Sequence, residues 1–192
     1  MDDATPSRPG RRRSEDSRRA ILAAAVELVG EHGYGPLTVE KIAARAGTGK
    51  QTIYRWWPTK ADVVMEALVE KADLHIPVPD DGSLRADLRA FLEASVALGR
   101  TPQVVAILRA LMAEAQLDEG FGGRFRDGFI ESRRSALRTV LERAAGRGEL
   151  PDGVSVDTLL DVVFGVIWYR VLTDRVMGAD AVVDELVTLI AR

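Results

Sequence analysis

Residues 50–60 read KQTIYRWWPTK: an ammonium at each end, and between them an amide, two hydroxyls, a phenol, a guanidinium and two indoles. At about 100° per residue on a helix, Ile53 and Trp57 point one way while Gln51, Thr52, Arg55 and Trp56 point the other, with Lys50 and Tyr54 on the flank. That outward set suits a groove floor and its phosphate walls. Arginine can pair with guanine and glutamine with adenine, and hydroxyls can bond phosphate or base. Bond-making chemistry has no comparable support. The chain has no cysteine, so thiolate catalysis and Cys-based metal sites are excluded. His32 and His75 lie far apart without ligand-like acidic spacing, which predicts no metal site. Asp118 and Glu119 are adjacent without a nucleophile or base, and neither a glycine-rich phosphate loop nor a Ser-His-Asp ordering occurs. We therefore expect no enzyme, no catalytic residue and no cofactor.

The elements that must position residues 50–60 are short helices. Ile21, Leu22, Ala25, Leu28 and Val29 mark one face of a first helix beginning near Ser17 and stopped by Gly33. Thr38 is a good N-cap for a second helix carrying Val39, Ile42, Ala43 and Ala46 inward. Gly47, Thr48 and Gly49 make a turn, and a third helix should run over residues 50–57 until Pro58 closes it. Two short helices joined by such a turn, with Ala43, Ala46 and Gly47 allowing a close crossing, form a helix-turn-helix at about residues 38–57. A fourth helix opens at Lys60 and runs to about residue 74, joining this head to the rest. Residues 1–13 read as a disordered basic arm and residues 75–83 (HIPVPDDGS) as a linker. Beyond it, helices are predicted over 83–99, 102–117, 123–146, 156–175 and 179–191. They should be separated by Gly120, Phe121, Gly122 and Gly123, then by residues 146–153, then by Gly178. The class is all-α.

The run Thr38-Val39-Glu40-Lys41-Ile42-Ala43 through Gly47, followed by Lys50-Gln51-Thr52-Ile53-Tyr54-Arg55-Trp56-Trp57-Pro58-Thr59-Lys60, resembles the DNA-binding domain of the tetracycline-repressor (TetR) family over residues 15–75. The resemblance implies a three-helix DNA-binding domain whose connecting helix leads to a C-terminal helical bundle, residues 83–192, for ligand binding and dimerisation. It also implies roles at matching positions. Thr38, Thr52, Tyr54 and Lys60 would contact phosphates, and Lys50, Gln51, Arg55 and Trp56 would lie near bases or the groove wall. Gly49 departs from the pattern, standing where many relatives have serine, so a cap hydroxyl is missing there. In the second half, Phe164-Gly165-Val166-Ile167-Trp168-Tyr169-Arg170 resembles one large subgroup of the family's C-terminal domains.

Charge agrees with this division. Residues 1–60 carry a net +4 and the remainder a net −7, within a chain of −3 overall. A basic head on an acidic body is expected when one end meets phosphate. No run of about 18 apolar residues occurs, and the N-terminal arginines have no apolar stretch behind them. These features predict a cytoplasmic protein that makes no use of a membrane. Met112, Trp168 and Tyr169 are candidate lining for a pocket taking a small apolar or aromatic molecule, the last two because each brings a polar handle. The last two helices carry more apolar surface than one core needs. That predicts a homodimer through them, reading a pseudo-palindromic operator on double-stranded DNA. The function expected is that of a dimeric repressor released from its operator by a ligand. A helical carrier with a vestigial head, and a ligand-independent regulator or activator, are the alternatives.

Overall fold

The computed structural model describes residues 9–73, 78–173, 175 and 180–191. Helices α1 (Pro9–His32), α2 (Val39–Arg45), α3 (Lys50–Tyr54) and α4 (Lys60–Asp73) come first. They are followed by α5 (Leu84–Gly99), α6 (Pro102–Leu117) and α7 (Glu119–Phe125). A π-turn, Arg126–Ile130, leads directly into α8 (Glu131–Gly146), and α9 (Val156–Leu172) and α10 (Asp180–Ile190) complete the order. No strand occurs among the described residues. No single helix among them is long and apolar enough to cross a membrane. The chain divides into two compact units, residues 1–67 and 68–192, with the break inside α4.

The first unit is built on α1. Ile21, Leu22, Ala25, Leu28 and Val29 are buried, and so are Leu37, Val39, Ile42, Ala43, Ile53 and Trp57 from the next two helices and their flanks. The helix starts at Pro9, so residues 9–13 are helical where the sequence suggested a disordered arm; residues 1–8 of that arm lie outside the described residues. Proline is at home in a first turn, where its missing N–H loses nothing. Arg18 and Arg19 add i,i+3 pairs to Glu15 and Asp16. Gly33 ends the helix at φ +78°, with its N–H on the Val29 carbonyl.

In the second unit α5 packs on α8 and α10, and α8 on α9. The core between them gathers Leu88, Phe91 and Leu92 with Leu137 and Leu141, Leu160 and Phe164, and Val183, Val187 and Ile190. Phe91 meets Phe164 edge-on at 6.4 Å. Polar ties frame this core. The buried Asp87 carboxylate accepts from the Asp81 N–H and from Arg147, while Glu149 accepts from Arg147 and from the Leu84 N–H at the start of α5. Those contacts hold the Glu149 carboxyl below its ordinary range, Arg147 contributing most.

One prediction of the sequence fails here. Gly120, Phe121, Gly122 and Gly123 lie inside α7 and do not separate helices. Asp118 caps α7 by accepting the Phe121 N–H, and the helix continues through the π-turn, where the Glu131 N–H reaches back to the Arg126 carbonyl. Phe121, Phe125 and Phe129 stack in series at 6.0 and 5.4 Å, which repays the helix for its glycines.

Candidate nucleic-acid interface

The turn between α2 and α3 follows from three residues. Thr38 stands extended at the N-cap of α2, its hydroxyl accepting the Lys41 N–H at 3.3 Å. At the other end Gly47 takes φ +64°, and the Thr48 N–H reaches the Ala43 carbonyl while the Gly47 N–H reaches Ala44. That paired closure needs a residue without a Cβ penalty at the left-handed position, which glycine supplies. Gly49 then stands extended at the N-cap of α3 and makes no side-chain cap bond, as its lack of a hydroxyl requires.

α3 is shorter than expected. It ends at Tyr54, and the Trp56 and Trp57 N–H groups both fold onto the Ile53 carbonyl. Pro58 keeps the helix from resuming, because it has no N–H to give the Tyr54 carbonyl. The inward and outward faces nevertheless fall as the spacing predicts. Ile53 and Trp57 are buried; Lys50, Gln51 and Arg55 are exposed; Tyr54 is 51% exposed; and Thr52 and Trp56 are half-buried. The Arg55 guanidinium lies 5.6 Å from the Trp56 ring, and Trp56 meets Trp57 edge-on at 5.3 Å.

Several charged groups in this unit hold the fold. Trp57 donates through Nε1 to Glu66 on α4 at 2.6 Å, and the other Glu66 oxygen accepts from Arg18 Nε on α1 at 2.7 Å. Arg45 forms a two-pronged pair with Glu31 at 2.9 and 2.7 Å and also reaches Glu27. This pairing lowers the Glu31 carboxyl and raises the Arg45 guanidinium further. Arg45 thus contributes to the basic count of the head but is already matched by acids. Thr59 and Asp62 cap α4 reciprocally, Asp62 accepting from the Thr59 N–H and hydroxyl. The Lys60 ammonium donates to the carbonyls of Leu37 at 3.0 Å and Tyr34 at 3.3 Å, over the Tyr34 ring. Periodicity announced the buried face of α3; it could not announce Glu66, Arg18 or the hold of Lys60 on the α1–α2 loop, which depend on packing between helices.

The candidate pocket residues do not converge. Met112 lines a cavity of about 460 Å³ bounded by α6, α7, the π-turn and Leu172 at the end of α9. Tyr169 lines a separate groove of about 540 Å³ between α9 and α10. Trp168 lines neither and packs against Phe129, their rings 6.3 Å apart. Neighbours on a helix point about 100° apart, so Trp168 and Tyr169 face different surroundings.

With this geometry in view, comparison with known proteins decides the family. Residues 78–190 match the family described as "Tetracyclin repressor-like, C-terminal domain", and residues 21–68 match "Bacterial regulatory proteins, tetR family". The chain belongs to the TetR family. It is similar to the uncharacterized HTH-type transcriptional regulator YdeS of Bacillus subtilis (strain 168), 35% identical across 94% of this chain and 91% of the relative. The crystal structure of the TetR family transcription regulator SCO0332 superposes with a TM-score of 0.76 at 31% identity, covering 90% of this chain and 95% of that one. The fold is shared by the transcriptional regulator FadR from Bacillus subtilis, whose crystal structure is in complex with stearoyl-CoA. That match has a TM-score of 0.70 at 21% identity over 89% and 96% of the two chains. As a TetR-family member with an intact helix-turn-helix, the chain is a DNA-binding transcriptional regulator.

Proposed function

We propose that this regulator is a cytoplasmic repressor that binds a pseudo-palindromic operator as a homodimer and leaves it when a small molecule occupies the second unit. The observation that carries the DNA reading is α3, which buries Ile53 and Trp57 while presenting Lys50, Gln51 and Arg55 to solvent. In this reading Gln51, Arg55, Lys50 and Trp56 face the major groove, and Thr38, Thr52, Tyr54 and Lys60 meet phosphates. Binding of the wild type and variants to DNA from upstream of the protein's own gene, followed by fluorescence anisotropy, tests it. Gln51→Ala or Arg55→Ala should each relax preference at one position per half-site, by about 1–3 kcal/mol for a bidentate contact. Thr52→Ala and Tyr54→Phe should weaken all sequences alike. Unchanged preferences in both Gln51→Ala and Arg55→Ala would move base reading off α3. Lys60→Ala is a poor probe of phosphate, because it also releases the Tyr34 and Leu37 carbonyls.

The homodimer reading rests on the outer face of α9 and α10. Leu189 is 67% and Tyr169 56% exposed beside Gly165 and Val166. A second copy related by a two-fold axis would cover this face with the same residues. Leu186, an obvious choice from the helical stripe, is only 5% exposed and belongs to the chain's own core, so a charge there would unfold the unit. Leu189→Glu is the cleaner variant. It should be monomeric at low micromolar concentration by analytical ultracentrifugation with its melting temperature little changed; a persisting dimer would place the interface elsewhere.

The repressor and ligand parts draw on the family description and on the 460 Å³ cavity, which is within the usual size of small-molecule sites at about 300–1,000 Å³. A ligand that favours the DNA-free state must by linkage bind more weakly when operator is present, and a coupling of about 1–3 kcal/mol gives 5–150-fold release.

A further inference from the structure

The sequence suggests a small apolar or aromatic ligand, and the cavity at Met112 adds charge to that picture. Its walls are apolar at Met112, Phe125, Ile130 and Leu172, and Arg109 and Arg126 also line it, with no carboxylate among the described lining residues. The π-turn produces this combination. Residues five apart stand about 140° from each other round an α-helix at about 100° per residue. A π-turn, closing i to i+5, brings them back toward one face. Phe125 and Ile130 are so spaced, and both line the cavity with Arg126 beside Phe125.

The other arginines of this region have partners. Arg134 pairs with Asp161, Arg138 with Asp157, Arg143 with Asp80 and Arg147 with Glu149, while Arg133 lies 3.8 Å over the Phe129 ring. Among the described residues Arg126 has no acid within ion-pair distance. Arg109 is held differently, its Nε donating to the Val171 carbonyl near the end of α9. Arg126 is exposed to solvent at this cavity, and a neutral molecule seated over it would take water from its guanidinium and return nothing. A carboxylate, phosphate or sulfonate would return charge-assisted, two-pronged hydrogen bonds.

We propose that this cavity binds an organic anion, its acid group against Arg126 and Arg109 and its apolar body against Met112, Phe125 and Leu172. The assignment rests on the ligand-responsive reading above and names the ligand class for it. Arg126 supplies the discriminating charge. Arg109 positions the end of α9 as well as facing the ligand, so Arg126 is the residue to change.

The test uses matched pairs: octanoate against octanamide, and 4-phenylbutyrate against 4-phenylbutanamide, titrated calorimetrically into the full chain. Each carboxylate should bind the wild type about 10-fold more tightly than its amide, the worth of one charge-assisted hydrogen bond. Arg126→Gln should bring the carboxylate down to the amide's affinity, and Arg126→Lys should restore part of the difference. The assignment is overturned if acid and amide bind the wild type alike, if neither member of either pair binds, or if Arg126→Gln keeps the preference. Operator release separates this from the regulatory reading. An amide that binds as well as its acid and frees the operator would defeat the anion assignment and keep the ligand switch. A carboxylate that binds through Arg126 without freeing the operator would do the reverse.

Discussion

Trp57→Ala should unfold the DNA-binding unit, whereas Trp56→Ala, one residue away, should leave it folded and weaken its grip on DNA. Trp57 is 3% exposed, and truncating a buried tryptophan costs about 3–5 kcal/mol. Small domains have only about 5–15 kcal/mol in total. The same change removes the donor to Glu66, the acid that also takes Arg18, so α4 loses its hold on the end of α3 and part of its register on α1. Trp57→Phe separates the two contributions. It keeps most of the packing and loses the hydrogen bond to a charged acceptor, about 1.5–3 kcal/mol. Trp56 is half-buried, and its contact with Trp57 is a single edge-on ring pair, about 0.5–1.5 kcal/mol. Its loss should show mainly as weaker operator binding. Hydrogen exchange over α2 and α3 together with operator anisotropy reads both effects. Wild-type protection in Trp57→Ala would remove Trp57 from the core, and wild-type affinity in Trp56→Ala would remove Trp56 from the groove.

The contrast between these two tryptophans was legible in the sequence because it is a local matter of helical phase. The same holds for Thr38 and Gly47, whose cap and left-handed turn are set within a few residues. The end of α3 is also written locally, in Pro58, which has no N–H to give the Tyr54 carbonyl. Interhelical contacts were not legible. Arg45, Lys60 and Arg18 look alike as surface cations in the sequence, and only packing shows that each is engaged by groups 14 or more positions away. The apolar stripe of α10 reads as an excess for a partner, yet the core it shares with α5 absorbs Val183, Leu186 and Val187, and Leu189 is left outside. The pocket suffered from the same blindness. Composition points to Met112, which lies on a cavity, but nothing in the sequence pattern sets Arg109 of α6 and Arg126 of the π-turn on the same cavity.

Gly122→Ala should destabilise the second unit although alanine is the better helix former, and Gly123→Ala should not. Both glycines lie in α7, one residue apart. Both substitutions gain about 0.8–1.0 kcal/mol of helix propensity and restrict the unfolded chain equally. Their surroundings differ. A Cβ at Gly122 would stand 2.6 Å from the Ala115 carbonyl oxygen of α6, a backbone atom that cannot swing aside. At Gly123 the nearest atom is Arg126 Nη2 at 3.9 Å, the end of a flexible side chain. Gly122→Ala must therefore separate α7 from α6, and such overpacking costs about 1–3 kcal/mol. Because Gly122 and Ala115 both line the Met112 cavity, the separation should also change its shape. The expected pattern is a melting temperature below wild type for Gly122→Ala, and at or above it for Gly123→Ala. Affinity for an anionic ligand should change only in Gly122→Ala. Equal melting temperatures for the two variants would mean that α6 and α7 slide apart at no cost, and the close crossing would then not be what fixes the cavity.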